Sequence, residues 1–165
     1  MKRTIILTLF CITGISVAFA QVDCKMCGTW TGIFKAFTER YNDVADNKIV
    51  VRVRKNDDSY SVRVKEIDVR SGDVFYWRAC TVTSYTEGSI SFYIEEPMRW
   101  DEQDNGYYTY TSYYTLTYSK GTLIYNQDSY TIIDYDKNKR RIGAMYEPGK
   151  DCYHHIPLYK DDDDW

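Results

Sequence analysis

The stretch Tyr107-Tyr108-Thr109-Tyr110-Thr111-Ser112-Tyr113-Tyr114-Thr115-Leu116-Thr117-Tyr118 decides the fold. Successive side chains of a strand point to opposite faces. Tyr108, Tyr110, Tyr114, Leu116 and Tyr118 therefore share one face, and Thr109, Thr111, Thr115 and Thr117 share the other with Tyr107 and Tyr113. Aromatic and β-branched residues in this pattern suit a pleated, half-buried surface.

The same alternation recurs to either side, broken by turn signals. Upstream, Gly28 to Phe37 reads as a first strand. Lys48 to Arg54 sets Ile49, Val51 and Val53 against Val50, Arg52 and Arg54. Beyond Asn56-Asp57-Asp58, Tyr60, Val62 and Val64 face one way while Ser61, Arg63 and Lys65 face the other. Val74 to Thr83 carries bulk on both faces, and Ile90, Phe92 and Ile94 follow the Glu87-Gly88 turn. Downstream, Thr122 to Tyr125, Tyr130 to Tyr135 and Arg141 to Tyr146 complete a set of about eight or nine strands. Pro97 to Gly106 reads as a polar loop. Phe34 to Val44 is the best candidate for a helical turn.

Short connections between consecutive strands argue for antiparallel neighbours. So many strands in one small domain must close or stack. The expected fold is all-β: an antiparallel up-and-down meander forming a closed or nearly closed barrel, with a two-sheet sandwich as the alternative.

The N-terminus carries an address. Lys2 and Arg3 precede an apolar run from Ile5 to Phe19, and Ala18-Phe19-Ala20 is a small-residue cleavage site. Residues 1–20 thus read as a cleaved secretory signal, the apolar run being short for a membrane span. The expectation is an exported protein, periplasmic or extracellular, with no transmembrane segment in the mature chain. Cleavage leaves 145 of the 165 residues, enough for one domain, and takes the formal charge from −3 to −5. The domain is expected over 21–150, followed by a tail over 151–165 with the acidic run Asp161 to Asp164. Basic residues cluster only at Lys137 to Arg141, so no nucleic-acid partner is expected.

Two tripeptides resemble motifs of the lipocalin group of calycin barrels. Gly28-Thr29-Trp30 is similar to the Gly-x-Trp that opens their first strand. Ile133-Asp134-Tyr135 looks like their Thr-Asp-Tyr, with Ile in place of Thr. The resemblance implies a lipocalin-like barrel, with Trp30 as a structural plug and Arg140 or Arg141 as the basic residue packed over it. It also implies a small apolar or amphipathic ligand in the barrel mouth. The candidate binding face is Tyr108, Tyr110 and Tyr114 with Phe92 and Ile94 from the preceding strand, because tyrosine offers an apolar ring with a polar tip. The alternative function is a secreted interaction or inhibitor module, binding a protein through the 97–106 loop, where Met98, Arg99 and Trp100 lie, or through the tail.

Cys11 leaves with the signal. Cys24, Cys27, Cys80 and Cys152 then read as two structural disulfides with three possible pairings. Long closed loops are stabilised most, by about 3–5 kcal/mol each in the chain-entropy model, which favours tying Cys24 and Cys27 separately to Cys80 and Cys152. The redox reading of Cys24-Lys25-Met26-Cys27 lacks a helix or βαβ unit behind it. Zinc held by Cys24, Cys27 and Cys152 with His154 or His155 lacks a second closely spaced ligand pair. Asp101 to Gly106 resembles a calcium loop but has Ser112 where the closing acid belongs. No nucleophile elbow, phosphate loop or zinc-protease motif occurs, so neither an enzyme nor a cofactor is expected.

Overall fold

The computed structural model describes residues 24–38, 42–150 and 153–161. Ten strands form one antiparallel sheet: β1 (Gly28–Thr38), β2 (Asp43–Asn56), β3 (Ser59–Asp68), β4 (Val74–Tyr85), β5 (Ser89–Glu95), β6 (Arg99–Asp101), β7 (Gly106–Ser119), β8 (Thr122–Tyr135), β9 (Arg141–Pro148) and β10 (Ile156–Asp161). Eight of them close a ring in the order β1-β2-β3-β4-β5-β7-β8-β10 and back to β1. The all-β barrel expected from the alternation is the fold. Closure removes the exposed edges that an open sheet of this width would carry.

The closing seam is β10. It pairs with β1 through Thr29↔Asp161, Trp30↔Lys160 and Thr31↔Tyr159, and with β8 through Ile156↔Tyr125, Pro157↔Ile124 and Leu158↔Leu123. Its alternation is plain once placed: Ile156 and Leu158 are buried, while Pro157 and Tyr159 are exposed. The expected division at residue 150 is therefore wrong, because residues 156–161 belong to the barrel wall. A strand of this length with a proline in it lacks the run of alternating residues that marked the others. Asp162 to Trp165 lie outside the described residues, as do residues 1–23 and the export signal read there.

Other expectations change as well. Among the described residues of the Phe34 to Val44 segment there is no helical turn: β1 runs to Thr38 and β2 starts at Asp43, paired in register from Gly28↔Val53 to Thr38↔Asp43. The polar loop contains β6, whose Arg99, Trp100 and Asp101 pair with Tyr108, Tyr107 and Gly106. The two short strands expected after Lys120 are one long β8.

β7 and β8 outrun the ring. Their ring portions lie against β5 and β10, but further along β7 meets β6 and β8 meets β9. The result is a four-stranded extension beyond one end of the barrel.

The other end is an apolar floor. Met26, Trp30, Ile49, Val51, Val53, Val62, Val64, Ile90, Phe92, Leu116, Leu123, Tyr125 and Leu158 form one buried cluster. Trp30 donates its indole N–H to the Met26 carbonyl at 2.8 Å and meets Tyr118 edge-on, with ring centroids 6.0 Å apart. The expected plug thus sits in the floor. Arg140 and Arg141 do not pack over it. They lie at the β8–β9 turn, beside Tyr135 and Tyr107, at the opposite end of the strands whose floor end carries Tyr118. Asp134 and Tyr135 share that remote position.

Cys24 and Cys27 are bonded to each other, their Cα atoms 5.2 Å apart in a turn closed by the Cys27 N–H donating to the Cys24 carbonyl at 3.0 Å. The tethered pairing favoured by loop entropy is therefore not the one formed, because this turn already brings the two thiols together ahead of β1. Among the described residues Cys80 is a free, half-buried thiol, pushed up to about 12 chiefly by burial. Cys152 lies outside the described residues.

Gly32 makes the seam possible. A Cβ at this position would stand 2.6 Å from both the Pro157 carbonyl oxygen and a Leu158 methyl. Gly32→Val is expected to cost about 1–3 kcal/mol or more through overpacking, read as a lower urea midpoint. By contrast, converting Cys24 and Cys27 to serine opens a loop so short that the expected cost is about 2 kcal/mol at most. Trp30→Ala should cost about 3–5 kcal/mol in the same assay.

Candidate functional site

The inward series of each strand is apolar near the floor and turns polar toward the other end. On β2 it passes from Val53, Val51 and Ile49 to Asn47. On β3 it passes from Val62 and Val64 to Glu66 and Asp68, and on β8 from Leu123 and Tyr125 to Gln127. On β7 Leu116 and Tyr114 give way to Ser112 and Tyr110. Just past β5, Ile94 gives way to Glu96.

The polar half encloses a cavity of about 100 Å³, lined by Arg78, Ile94, Glu96, Tyr110, Ser112, Tyr114, Gln127, Lys150 and Tyr153. Alternation explains the β7 contribution, because Tyr110, Ser112 and Tyr114 are two residues apart. Register brings β5 alongside, with Ser112 opposite Ile94 and Tyr114 opposite Phe92. On the other flank the β7–β8 ladder slips between Tyr113 and Tyr114: Tyr113 faces Ser129 and Tyr114 faces Gln127, leaving Asp128 as the extra residue. Such a bulge re-aims its neighbours. The Asp128 carboxylate points outward, accepting from Thr115 Oγ1 at 2.6 Å and Asn126 Nδ2 at 2.7 Å, while Gln127 turns inward.

The bulge also anchors the connection from β9 to β10. Gly149 N–H donates to the Asp128 carbonyl at 3.1 Å, and Lys150 N–H donates to Gln127 Oε1 at 2.9 Å. Only glycine fits here, since a Cβ on Gly149 would fall 1.7 Å from the Gln127 carbonyl oxygen. This connection delivers Lys150 and Tyr153 to the rim. Lys150 Nζ lies 5.7 Å from the Tyr110 ring centre and 5.8 Å from that of Tyr130, two rings stacked at 5.0 Å. Tyr153 packs its ring on Phe34 at 5.0 Å and donates its hydroxyl to the buried Glu66 carboxylate, 3.1 Å from Oε2 and 3.3 Å from Oε1.

The remaining polar groups are held from the strand ends. Arg78 donates Nη1 to the Glu95 carbonyl at 3.0 Å, and Glu96 pairs with Arg99 at 2.7 Å. Gln127 Nε2 donates to Tyr114 Oη at 3.4 Å. Burial pushes the Tyr114 phenol up to about 12, against the lowering effect of hydrogen bonds from Ser112, Tyr125 and Gln127. Burial also raises the Tyr110 phenol well above its ordinary value. Both stay neutral at physiological pH and present hydroxyls rather than charge. The rim can thus bind a polar group with hydroxyl, amide and both signs of charge at hand.

Of the five residues expected to bind a ligand, Ile94, Tyr110 and Tyr114 line this cavity. Phe92 lies beneath it, stacked on Tyr114 at 5.4 Å and part of the packed floor. Tyr108 shares the strand face but sits further out, opposite Arg99 and Asp134 in the extension. Arg78, Glu96, Ser112, Gln127, Lys150 and Tyr153 were not anticipated. The available signal was a polar residue at an inward position of several strands, all toward one end.

The other chemistry-bearing residues lie elsewhere. His154 Nδ1 is 2.9 Å from Asn126 Oδ1 on the outer surface, and His155 stacks beside it. Among the described residues no three His, Cys, Asp or Glu side chains are grouped to hold a metal ion. The Asp101 carboxylate accepts the Gln103 N–H at 2.9 Å, closing the turn before β7. Met98 and Trp100 are exposed, with Trp100 set edge-on to Tyr107 at 4.8 Å. Among the described residues no helix is long and apolar enough to cross a membrane.

No family model, curated protein or solved structure matches the chain. The likeness to lipocalins therefore rests on architecture: an eight-stranded, closed, antiparallel barrel consistent with a calycin-like fold.

The raised phenols predict how stability depends on pH. A tyrosine whose folded value lies near 12 and whose unfolded value is ordinary holds its proton longer when folded. Its contribution is fully present below about pH 10 and is lost as pH rises toward 12. Urea unfolding across this window should show stability falling with pH, and Tyr114→Phe should make the slope shallower by roughly one proton.

Proposed function

We propose that this chain is an exported binding protein that takes a small amphipathic ligand, polar end first, at the mouth of its barrel. The observation carrying the reading is the solvent-open cavity set on an apolar floor, lined by Tyr110, Tyr114, Tyr153, Ser112 and Gln127, with Arg78 and Lys150 opposing Glu96. Concave sites with a few converging polar groups on a rigid scaffold are the usual form of a small-molecule site. Export is supported by the signal-like residues 1–20.

The geometry narrows the ligand. A wholly apolar molecule would need the interior that Phe92, Leu116, Tyr125 and Trp30 already fill. A cavity of about 100 Å³ is well below the roughly 300–1,000 Å³ of a pocket that engulfs a drug-sized molecule. It suits a hydroxylated or zwitterionic head group whose remainder stays at the rim, against the Tyr110–Tyr130 stack.

Native mass spectrometry of the protein isolated from its own source tests this. The expected result is a retained small molecule. It should be reduced at least about tenfold in Ser112→Phe, which fills the cavity from a buried position. A wild-type protein that carries nothing, or an adduct indifferent to the substitution in a folded variant, would overturn the proposal.

A further inference from the structure

On the outer wall of the barrel, β1, β2 and β3 pair without a register shift, so their outward residues align in cross-strand rows. Toward the floor these rows are basic. Arg52 stands opposite Arg63, and Lys65 opposite Val50. Toward the mouth they are apolar. Lys48 stands between Ile33 and Ile67, Ile67 continues to Val74, and Phe37 stands opposite Val44. Ile33, Phe37 and Val44 are 63%, 60% and 53% exposed. Val69, whose N–H donates to the Asp46 carbonyl at 3.1 Å, is 51% exposed beside them.

The outward positions of the three strands carry Lys35, Lys48, Arg52, Arg54, Arg63 and Lys65 against one carboxylate, Asp46. The chain has a formal charge of −3, so this wall is a basic area on an acidic protein. Like charges directly opposite on a sheet are destabilising, yet Arg52 and Arg63 form such a pair.

We propose that this wall docks the protein on the surface of an anionic lipid bilayer. The charge of the wall selects the sign of its occupant, and the apolar rows select the kind. Exposed Ile33, Val44, Val69 and Val74 offer nothing to a nucleic-acid backbone or to the carboxylates of an acidic peptide. A bilayer interface accepts apolar side chains and places anionic head groups beside them. From Val44 to Arg54 the face is about 33 Å long, at roughly 3.3 Å per residue. Its mouth half enters the interface, and its floor half meets the head groups through Arg52, Arg54 and Arg63. The four-stranded extension does not obstruct this contact. β7 lies four strands from β2 in either direction around the ring, so the extension stands on the far side. The cavity is also left free, because these side chains point away from the interior.

Co-sedimentation of the intact protein with phosphatidylcholine vesicles, with and without an equal part of phosphatidylglycerol, tests the proposal. Binding should be at least about tenfold tighter to the mixed vesicles and should fall as salt is raised. Arg54→Glu combined with Arg63→Glu should weaken it at least about tenfold. Phe37→Ser should weaken it about fivefold with no change of charge. Lys139→Glu, in the β8–β9 turn, should leave it unchanged. All four residues are exposed, so the urea midpoint should stay in place. Absence of binding at low salt, equal binding to both vesicles, or a charge variant that binds as the wild type does would overturn the proposal. So would cation-dependent binding indifferent to Phe37→Ser, which assigns the wall to another polyanion, or a loss in Lys139→Glu equal to that of the charge variant.

Discussion

The hydrogen-bonded seam at β10 is the constraint on which the rest depends. Seven strands in a row would leave β1 and β8 as open edges, and their inner faces would not meet around a common interior. β10 supplies three residues of register to each neighbour and two buried side chains, Ile156 and Leu158. It fits only because Gly32 has no side chain where Pro157 and Leu158 pass. Once the ring is closed, Trp30 has walls on every side, and the polar residues of several strands converge instead of pointing to solvent.

That convergence divides the interior into two regions with different physics. Near the floor, stability comes from apolar area removed from water. Toward the mouth, the same wall buries Asn47, Glu66, Asp68, Ser112 and Gln127. Such groups are costly unless they find partners. Glu66 finds Tyr153, Asp68 accepts the Arg70 and Ser71 amides, and Gln127 is held by Lys150 and Tyr114. A barrel selected for stability alone would continue its valines and isoleucines to the rim. The polar half is where the proposed ligand site lies, and Gly149 and Lys150, which follow β9, shape it by way of the bulge at Asp128.

Much of this was legible in the sequence, for a simple reason: period-two alternation is a local signal, and it survives in Lys48 to Arg54, Tyr60 to Lys65 and Tyr107 to Tyr118. The grouping of Val51 with Ile49, Val64 with Val62 and Leu116 with Tyr114, each pair on one strand face, followed directly. What was hidden depends on pairing between distant segments. β10 is six residues with a proline, and its place is fixed by β1 and β8 rather than by its own pattern. The Asp128 bulge appears only in the register of β7 against β8. The tyrosine face was read as one continuous site because strand parity says nothing of depth. Phe92 proved too deep, Tyr108 too far out, and the residues between them became the cavity wall. Arg140 and Arg141 were assigned to Trp30 by family likeness, and the strand direction placed them at the other end.

The adjacency of β1 and β10 also has a consequence in time. Thr29 faces Asp161 and Trp30 faces Lys160, so the first and tenth strands are partners. Contacts between segments this far apart in the chain form late and slow the search for the native state. A nascent chain that has made β1 to β8 but not β10 is an unfinished sheet with adhesive borders. The ring cannot close before residues 156–161 are available to pair with β1 and β8.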